Sequence, residues 1–507
     1  MSSPPPGSAV VKCHNNYGEE AARRPLQVSL GPRLEGLAPP MADVYHGPTL
    51  LHGCLSRFCC DPPIPNVAIL EELRSFVIKQ LDHFTPIALD TDVSFMTWIH
   101  NTIYPLHRKE ELIQVWGDIN EEIGTDDYNN SSHGKKETYI SYKPARGINS
   151  RSDAFKCETG PFFHLIEDEV YRQPQFIKHV PVCERPAYLM DMMGHTTGPF
   201  YETDYSRFEK HFTPFIMNVI EMPLYKHMLK NFPSVYAHIH SALTGINKCV
   251  YKNFTLHVPG KRMSGDMCTS LGNGFTNWIL AKFLCERKGG SFVGVVEGDD
   301  ALFVSNAQLS SDDFKECGFD IKIIRHSTLL QSSFCGLVMS EDLCTMTDPF
   351  KVLLNLGWSH SAMMTGGSSV LKGLLRAKAL SLAYEHPQCP ILYMVAKRLI
   401  ALTAGYEPRF ESNWYEMHLQ METLTYSEST FMRLNAGPTV VARECFATLF
   451  GIGLDAQLSI ESYFANWDGG VIDDPLLLSY FGPKFDDCRH YFDNFTSTFR
   501  DFSVSPF

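Results

Sequence analysis

RMSGDMCTSLGNGFTNW, residues 262–278, is the stretch from which the rest of the chain can be read. Ser264 and Gly265 make a flexible loop that enters a helix, and Thr269, Asn273 and Asn277 then recur every fourth residue. That spacing puts three small polar side chains on one helical face. Thr and Asn are mediocre helix formers, so a helix interior has little use for such a stripe. Two readings stay open: a buried, satisfied polar face, or a face that hydrogen-bonds a sugar or a templating strand.

Residues 291–304 change to two β-rich runs, SFVGVVE and ALFV, joined by Gly298-Asp299-Asp300. The pattern predicts a hairpin with carboxylates at its tip. Such a tripeptide arises by chance in about one chain of this length in ten, so alone it reads equally as a surface turn. Asp204 lies 95 residues before Asp299, in GPFYETDYSRFEKHF, after an apolar and aromatic run that predicts a strand. Phosphoryl transfer onto a nucleotide calls for two divalent metals roughly 4 Å apart. Magnesium takes carboxylate and phosphate oxygens, with one or two protein carboxylates per ion. Two aspartates that meet from separate strands, Asp204 and Asp299, meet that requirement.

Asp204 stands 60 residues before Ser264, and Asp299 35 residues after it. DxxxxE, SGxxxTxxxN and GDD in this order and spacing resemble the palm of viral RNA-dependent RNA polymerases of positive-strand RNA viruses. The wording RMSGDMCTSLGN is similar to the tombusvirus-like branch of the tombusvirus-like and flavivirus-like supergroup. The resemblance covers roughly residues 90–345. It implies an α+β right-hand polymerase fold of fingers, palm and thumb, with an antiparallel palm sheet and a mostly helical thumb. It implies an RNA-directed RNA polymerase that replicates and transcribes a viral RNA genome by two-metal-ion nucleotidyl transfer, with RNA template, nascent RNA and NTPs as partners.

Carried over residue by residue, the resemblance makes Asp204, Asp299 and the backbone carbonyl of Tyr205 ligands of two Mg²⁺ or Mn²⁺ ions. Asp300 joins them less directly, since the second Asp of this turn is often further from the metals. Ser264, Gly265, Thr269 and Asn273 are assigned to the incoming nucleotide. Glu209, Ser264 and Asn273 would sense the ribose 2′-hydroxyl, their oxygens offering it hydrogen-bond partners. KKETYISYKPARGINSR resembles the fingers motif that holds the triphosphate, which gives that task to Lys143, Arg146 and Arg151. Residues 318–322, GFDIK, resemble the next palm motif, whose lysine, Lys322, could protonate the leaving pyrophosphate. Residues 333–336, SFCG, resemble the strand that grips the primer end.

Each assignment has a plain rival. Glu209 departs from the family's usual Asp and could be a solvated helix glutamate; Arg146 could lie on a solvated basic loop, and Lys322 on an exposed strand. A reverse transcriptase resembles this palm but carries a bulky aromatic where Glu209 stands, so ribonucleotide incorporation is expected. A non-catalytic viral RNA-binding protein with a decayed palm is disfavoured because no metal carboxylate, sugar-sensing Asn or triphosphate Arg is missing.

The totals agree with a large enzyme of 507 residues, 44% hydrophobic and 20% charged, with no run of some 18 apolar residues that would span a bilayer. Fifteen scattered cysteines in a long chain favour reduced thiols. The net charge of −13 must be segregated if the chain binds nucleic acid. Residues 132–156 hold six Lys or Arg against one Glu and one Asp; residues 451–507 hold nine Asp or Glu against three Lys or Arg and read as a solvated acidic face. No secretory signal is indicated at the start. The expected place is the host cytoplasm, in membrane-associated replication complexes through a separate viral membrane-anchored replication protein. The expected division is an N-terminal extension (1–85, irregular to about 65), fingers (86–198 and 224–258), palm (199–223 and 259–344), and thumb with the C-terminal region (345–507).

Overall fold

In the computed structural model, which describes residues 9–18, 25–58, 60–119, 123–410, 414–495 and 499–500, the expected hairpin is present. Strands Val293–Glu297 and Asp300–Val304 pair antiparallel, with Asp300 opposite Glu297. Gly298 takes φ +58°, a left-handed conformation open to glycine without strain, and so closes the turn. The hairpin is half of a four-stranded antiparallel sheet, ordered Ile321–His326, Phe200–Tyr205, Asp300–Val304, Val293–Glu297. The sheet is apolar on both faces. Tyr201, Val296, Ala301 and Phe303 pack into one core with Phe275, Trp278 and Ile279 of the helix Thr269–Arg287, while Phe200, Val295, Leu302 and Val304 join Ile177, Leu189 and Phe334 in another.

A second, five-stranded sheet has the order Val10–Cys13, Phe254–Val258, Asn247–Val250, Asn130–Lys135, Arg146–Arg151. The basic segment supplies two of its strands, and the loop between them reaches across to the C-terminal lobe. There Tyr142 N donates to Asp487 Oδ2 at 2.9 Å, and its hydroxyl meets His490 Nδ1 at 2.8 Å. One carboxylate of the acidic tail thus pins the basic loop instead of facing solvent alone. After residue 348 helices dominate, among them Ser368–Glu385, Leu392–Leu402, Val440–Phe450 and Leu454–Asn466, around a core that includes Leu375, Leu392, Val395, Phe446 and Phe464. The architecture is mixed α+β.

The N-terminal stretch is more ordered than its Pro- and Gly-rich composition predicts. Gln27–Ser29 pairs with Trp358–Ser359, Arg33–Leu34 pairs parallel with Val471–Ile472, and Gly47–Phe58 is a helix. Val28, Leu30 and Leu34 lie in the core of the C-terminal lobe. Strands of two to four residues show no alternation to read, and their partners stand hundreds of residues away. Every cysteine among the described residues is free.

Candidate active site

Asp204 is the fifth residue of Phe200–Tyr205, and Lys322 is its Cα partner on the neighbouring strand. On the other side Ala301 faces Thr203, so continuing that register by one residue brings Asp300 level with Asp204. Asp204 and Asp299 are open to solvent and Asp300 is half-buried. Although Asp299 keeps an edge open to solvent, the protein packed around it displaces part of its hydration and raises its carboxyl, and the charges of Glu209 and Asp204 add to the rise. Burial and then the Asp299 charge push Asp300 up to about 6, with Asp204 and Glu297 contributing. The three aspartates therefore act on one another as like charges at the open end of the sheet. Clustered carboxylates attract a hard cation, and an all-oxygen donor set suits Mg²⁺ or Mn²⁺. Among the described residues no group of three or more His, Cys, Asp or Glu side chains is placed to hold a metal ion.

Arg146 is half-buried above this end. It pairs with Glu137 at 3.3 Å and approaches Glu209 at 3.9 Å, and its charge lowers the carboxyl of Asp299. Lys143 is exposed, its ammonium 4.8 Å from the centre of the Tyr139 ring. On the far side of the hairpin, Arg185 pairs with Glu297 at 2.7 Å, and both line a cavity of about 620 Å³ with Cys335 and Gly336.

A family model described as viral RNA dependent RNA polymerase matches residues 168–469, more than half of the chain. The chain belongs to the viral RNA-dependent RNA polymerase family. The RNA-directed RNA polymerase of greasy grouper nervous necrosis virus is 25% identical over 211 residues, 38% of this chain and 21% of that protein. That of Atlantic halibut nervous necrosis virus is 28% identical over 204 residues, 36% of this chain and 20% of that protein. The striped jack nervous necrosis virus enzyme is 23% identical over 205 residues, with 38% and 20% covered. In each case the match spans about a fifth of the relative's length.

Within this member of the polymerase family, several residues singled out from sequence stand elsewhere than expected. Arg151 is turned inward. It is 4% exposed, its Nε lies 3.0 Å from Asp266 Oδ1, and its two Nη groups donate to Tyr128 O and Asn247 Oδ1 at 2.8 and 2.7 Å. With those partners the guanidinium has little left for a triphosphate. The polar stripe is a tethering face, with Asn273 and Asn277 buried and Thr269 half-buried. Thr269 Oγ1 donates to Met263 O, Asn273 Oδ1 accepts from Arg262 Nε at 3.0 Å, and Asn277 Nδ2 donates to Gly298 O at 3.3 Å. It ties the loop at one end and the carboxylate turn at the other to the same helix. Gly265 is dictated by packing, since a Cβ there would stand 2.6 Å from Asn149 O.

The expected trio of Glu209, Ser264 and Asn273 is split. Ser264 Oγ donates to Glu209 Oε1 at 2.9 Å, but Asn273 is bonded to Arg262. Glu209 is no solvated helix glutamate: it is 6% exposed and accepts two hydrogen bonds from Arg57 Nη2, at 2.7 and 2.8 Å. Arg57 was invisible to motif reading because it lies in the stretch read as irregular. So was the fully buried ion pair of Arg262 with Glu221, 2.5 Å apart, although Arg262 heads the stretch that decides the fold. A carboxylate in the otherwise apolar helical run around Glu221 is the available signal for such a pair, and it does not name the partner.

Proposed function

We propose that this chain carries out RNA-templated synthesis of RNA from NTPs, the 3′-hydroxyl of the nascent strand displacing pyrophosphate. The observation that carries the reading is the convergence of Asp204 with Asp299 and Asp300 on adjoining strands beneath Arg146. Asp204, Asp299 and the backbone carbonyl of Tyr205, with Asp300 behind them, would hold two Mg²⁺ or Mn²⁺ ions. Such ions take one or two protein carboxylates each and complete their shell with water and phosphate oxygens, so a cage of three side chains is not required. When bound, they supply activation of the attacking 3′ oxygen and neutralisation of the leaving pyrophosphate.

The chain's own residues do the rest. Arg146 takes the triphosphate through charge-assisted hydrogen bonds, with Lys143 as a second cation at the entrance. Ser264, fixed by Glu209, meets the ribose. Lys322, beside Asp204, delivers a proton to the departing pyrophosphate. In this reading residues 199–223 and 259–344 are the palm, 86–198 and 224–258 the fingers, and 345–507 the thumb with the C-terminal region. The described part of the 1–85 extension pairs with the five-stranded sheet and with the C-terminal lobe. Among the described residues no helix is long and apolar enough to cross a membrane, and a separate viral membrane-anchored protein is the proposed tether in the host cytoplasm. Placement near the tombusvirus-like branch rests on the wording of residues 262–273.

Purified protein incubated with an unprimed RNA, labelled NTPs and Mg²⁺ should yield a labelled strand complementary to the template. Label added only to template ends, or none with primed and unprimed templates alike, would contradict the reading.

A further inference from the structure

The turn that follows Asp204 and the helix Gly47–Phe58 are bound to each other by two arginines that cross. Arg57, in the last turn of the helix, donates from one Nη to both oxygens of Glu209 at 2.7 and 2.8 Å. In return Arg207 donates to Ser56 O at 2.5 Å and lies 3.1 Å from Cys60 Sγ. A cation at the carbonyl end of a helix is favourably placed against the helix dipole. Arg207 holds φ +58°, a left-handed conformation that costs a non-glycine residue free energy, so the surrounding contacts must over-determine it.

The consequence falls on Ser264. Burial alone would raise the Glu209 carboxyl, but the charges and hydrogen bonds of Arg57, with Arg146 behind, overcome this and hold it below the usual range. An ionised carboxylate only accepts, so the single hydroxyl hydrogen of Ser264 is committed to Glu209 Oε1. What Ser264 has left are lone pairs. A ribose 2′-hydroxyl can donate to them; a deoxyribose cannot.

We propose that Arg57 is a positioning residue for sugar discrimination: it locks Glu209 so that Ser264 presents an acceptor, not a donor, to the incoming nucleotide. This rests on the RNA-synthesis reading above. It also makes a segment outside the matched residues 168–469 part of the nucleotide site. The extra methylene of Glu209 relative to Asp is then what lets its carboxylate reach Arg57.

The test is single-nucleotide extension of a primed RNA template, comparing kcat/KM for ATP and dATP in the wild type, Arg57→Ala, Arg57→Lys, Ser264→Ala and the Arg57→Ala/Ser264→Ala double variant. Arg57→Ala should lower the preference for ATP about tenfold, the worth of one hydrogen bond, and Arg57→Lys should restore part of it. The double variant should be no less selective than Ser264→Ala, because both changes act through one hydroxyl. An unchanged ATP-to-dATP ratio in Arg57→Ala, equal losses for both substrates, or additive effects in the double variant would overturn the proposal. If Arg57→Ala does not fold by circular dichroism, Glu209→Gln decides by the same ratio. Its amide can donate to Ser264 and occupy a lone pair that the 2′-hydroxyl would use, so a preference carried by an acceptor falls, and an unchanged ratio overturns the proposal. No incorporation of either nucleotide by the wild type would count against the polymerase reading itself, a result separate from a wild type that works and a ratio that does not move.

Discussion

Lys322 stands directly opposite Asp204, the two being Cα partners on adjacent antiparallel strands. In the proposed site Asp204 is a metal ligand, and the exposed Lys322 ammonium one strand away would serve the end of the triphosphate. If it donates a proton to pyrophosphate, Lys322→Arg should flatten the alkaline limb of the pH–rate profile while leaving NTP binding unchanged, since a guanidinium does not release its proton in that range. Single-turnover rates between pH 6 and 10 check this, and a profile identical to the wild type removes the acid role.

Arg146 and Arg151 lie five residues apart on one strand and should behave oppositely. Arg146 is half-buried near Glu209, so Arg146→Ala should raise KM for NTPs with the fold retained. Arg151 is buried against Asp266, and removing one partner of a buried ion pair costs about 3–5 kcal/mol. Arg151→Ala should therefore show its effect in urea unfolding, a measurement in which Arg146→Ala changes little.

The same physics applies to Arg262 and Glu221, whose side chains are both fully enclosed at 2.5 Å, with Tyr225 donating to Glu221 at 2.6 Å. Arg262→Met leaves a buried carboxylate without its cation and should destabilise the chain by about 3–5 kcal/mol. Replacing both residues, Arg262→Met with Glu221→Leu, should cost less than the single change, as denaturant midpoints would show. Equal losses would mean that the pair itself contributes net stability.

A pH dependence follows from Glu167. Burial pushes its carboxyl up to about 7 from the ordinary 4.5, and the Lys178 charge offsets only part of that. A carboxyl with a raised folded-state pKa binds its proton more tightly in the native chain. Its contribution to stability is full below about pH 4.5 and is lost as the pH rises through about 7. Glu167→Gln should thus gain stability relative to the wild type between pH 5 and 8. Parallel stability curves over about that range would contradict this.

Local patterns carried most of what could be foreseen. The hairpin of residues 293–304, the helix after Cys268 and the helical C-terminal third each follow from periodicity or turn chemistry within a dozen residues. Asp204 and Asp299 were legible because their partners in the reading are motifs at fixed spacing. Long-range pairing left no such trace. Nothing near Arg57 announces Glu209, 152 residues away, and nothing near Arg151 announces Asp266. Basic residues spaced along a segment say that cations are present, not which of them a sheet turns inward. The alternation of Arg146–Arg151, with Gly147, Asn149 and Arg151 all buried, decides that only once the strand is known.

Asp299→Asn removes the charge at the tip of the carboxylate turn with the least change in shape. With template RNA, NTPs and Mg²⁺, the variant should retain the wild-type circular dichroism spectrum and lose RNA synthesis about a thousandfold, as expected when several kcal/mol of transition-state charge stabilisation go with the metal site. A folded Asp299→Asn protein that copies RNA at the wild-type rate would contradict a catalytic role for the turn.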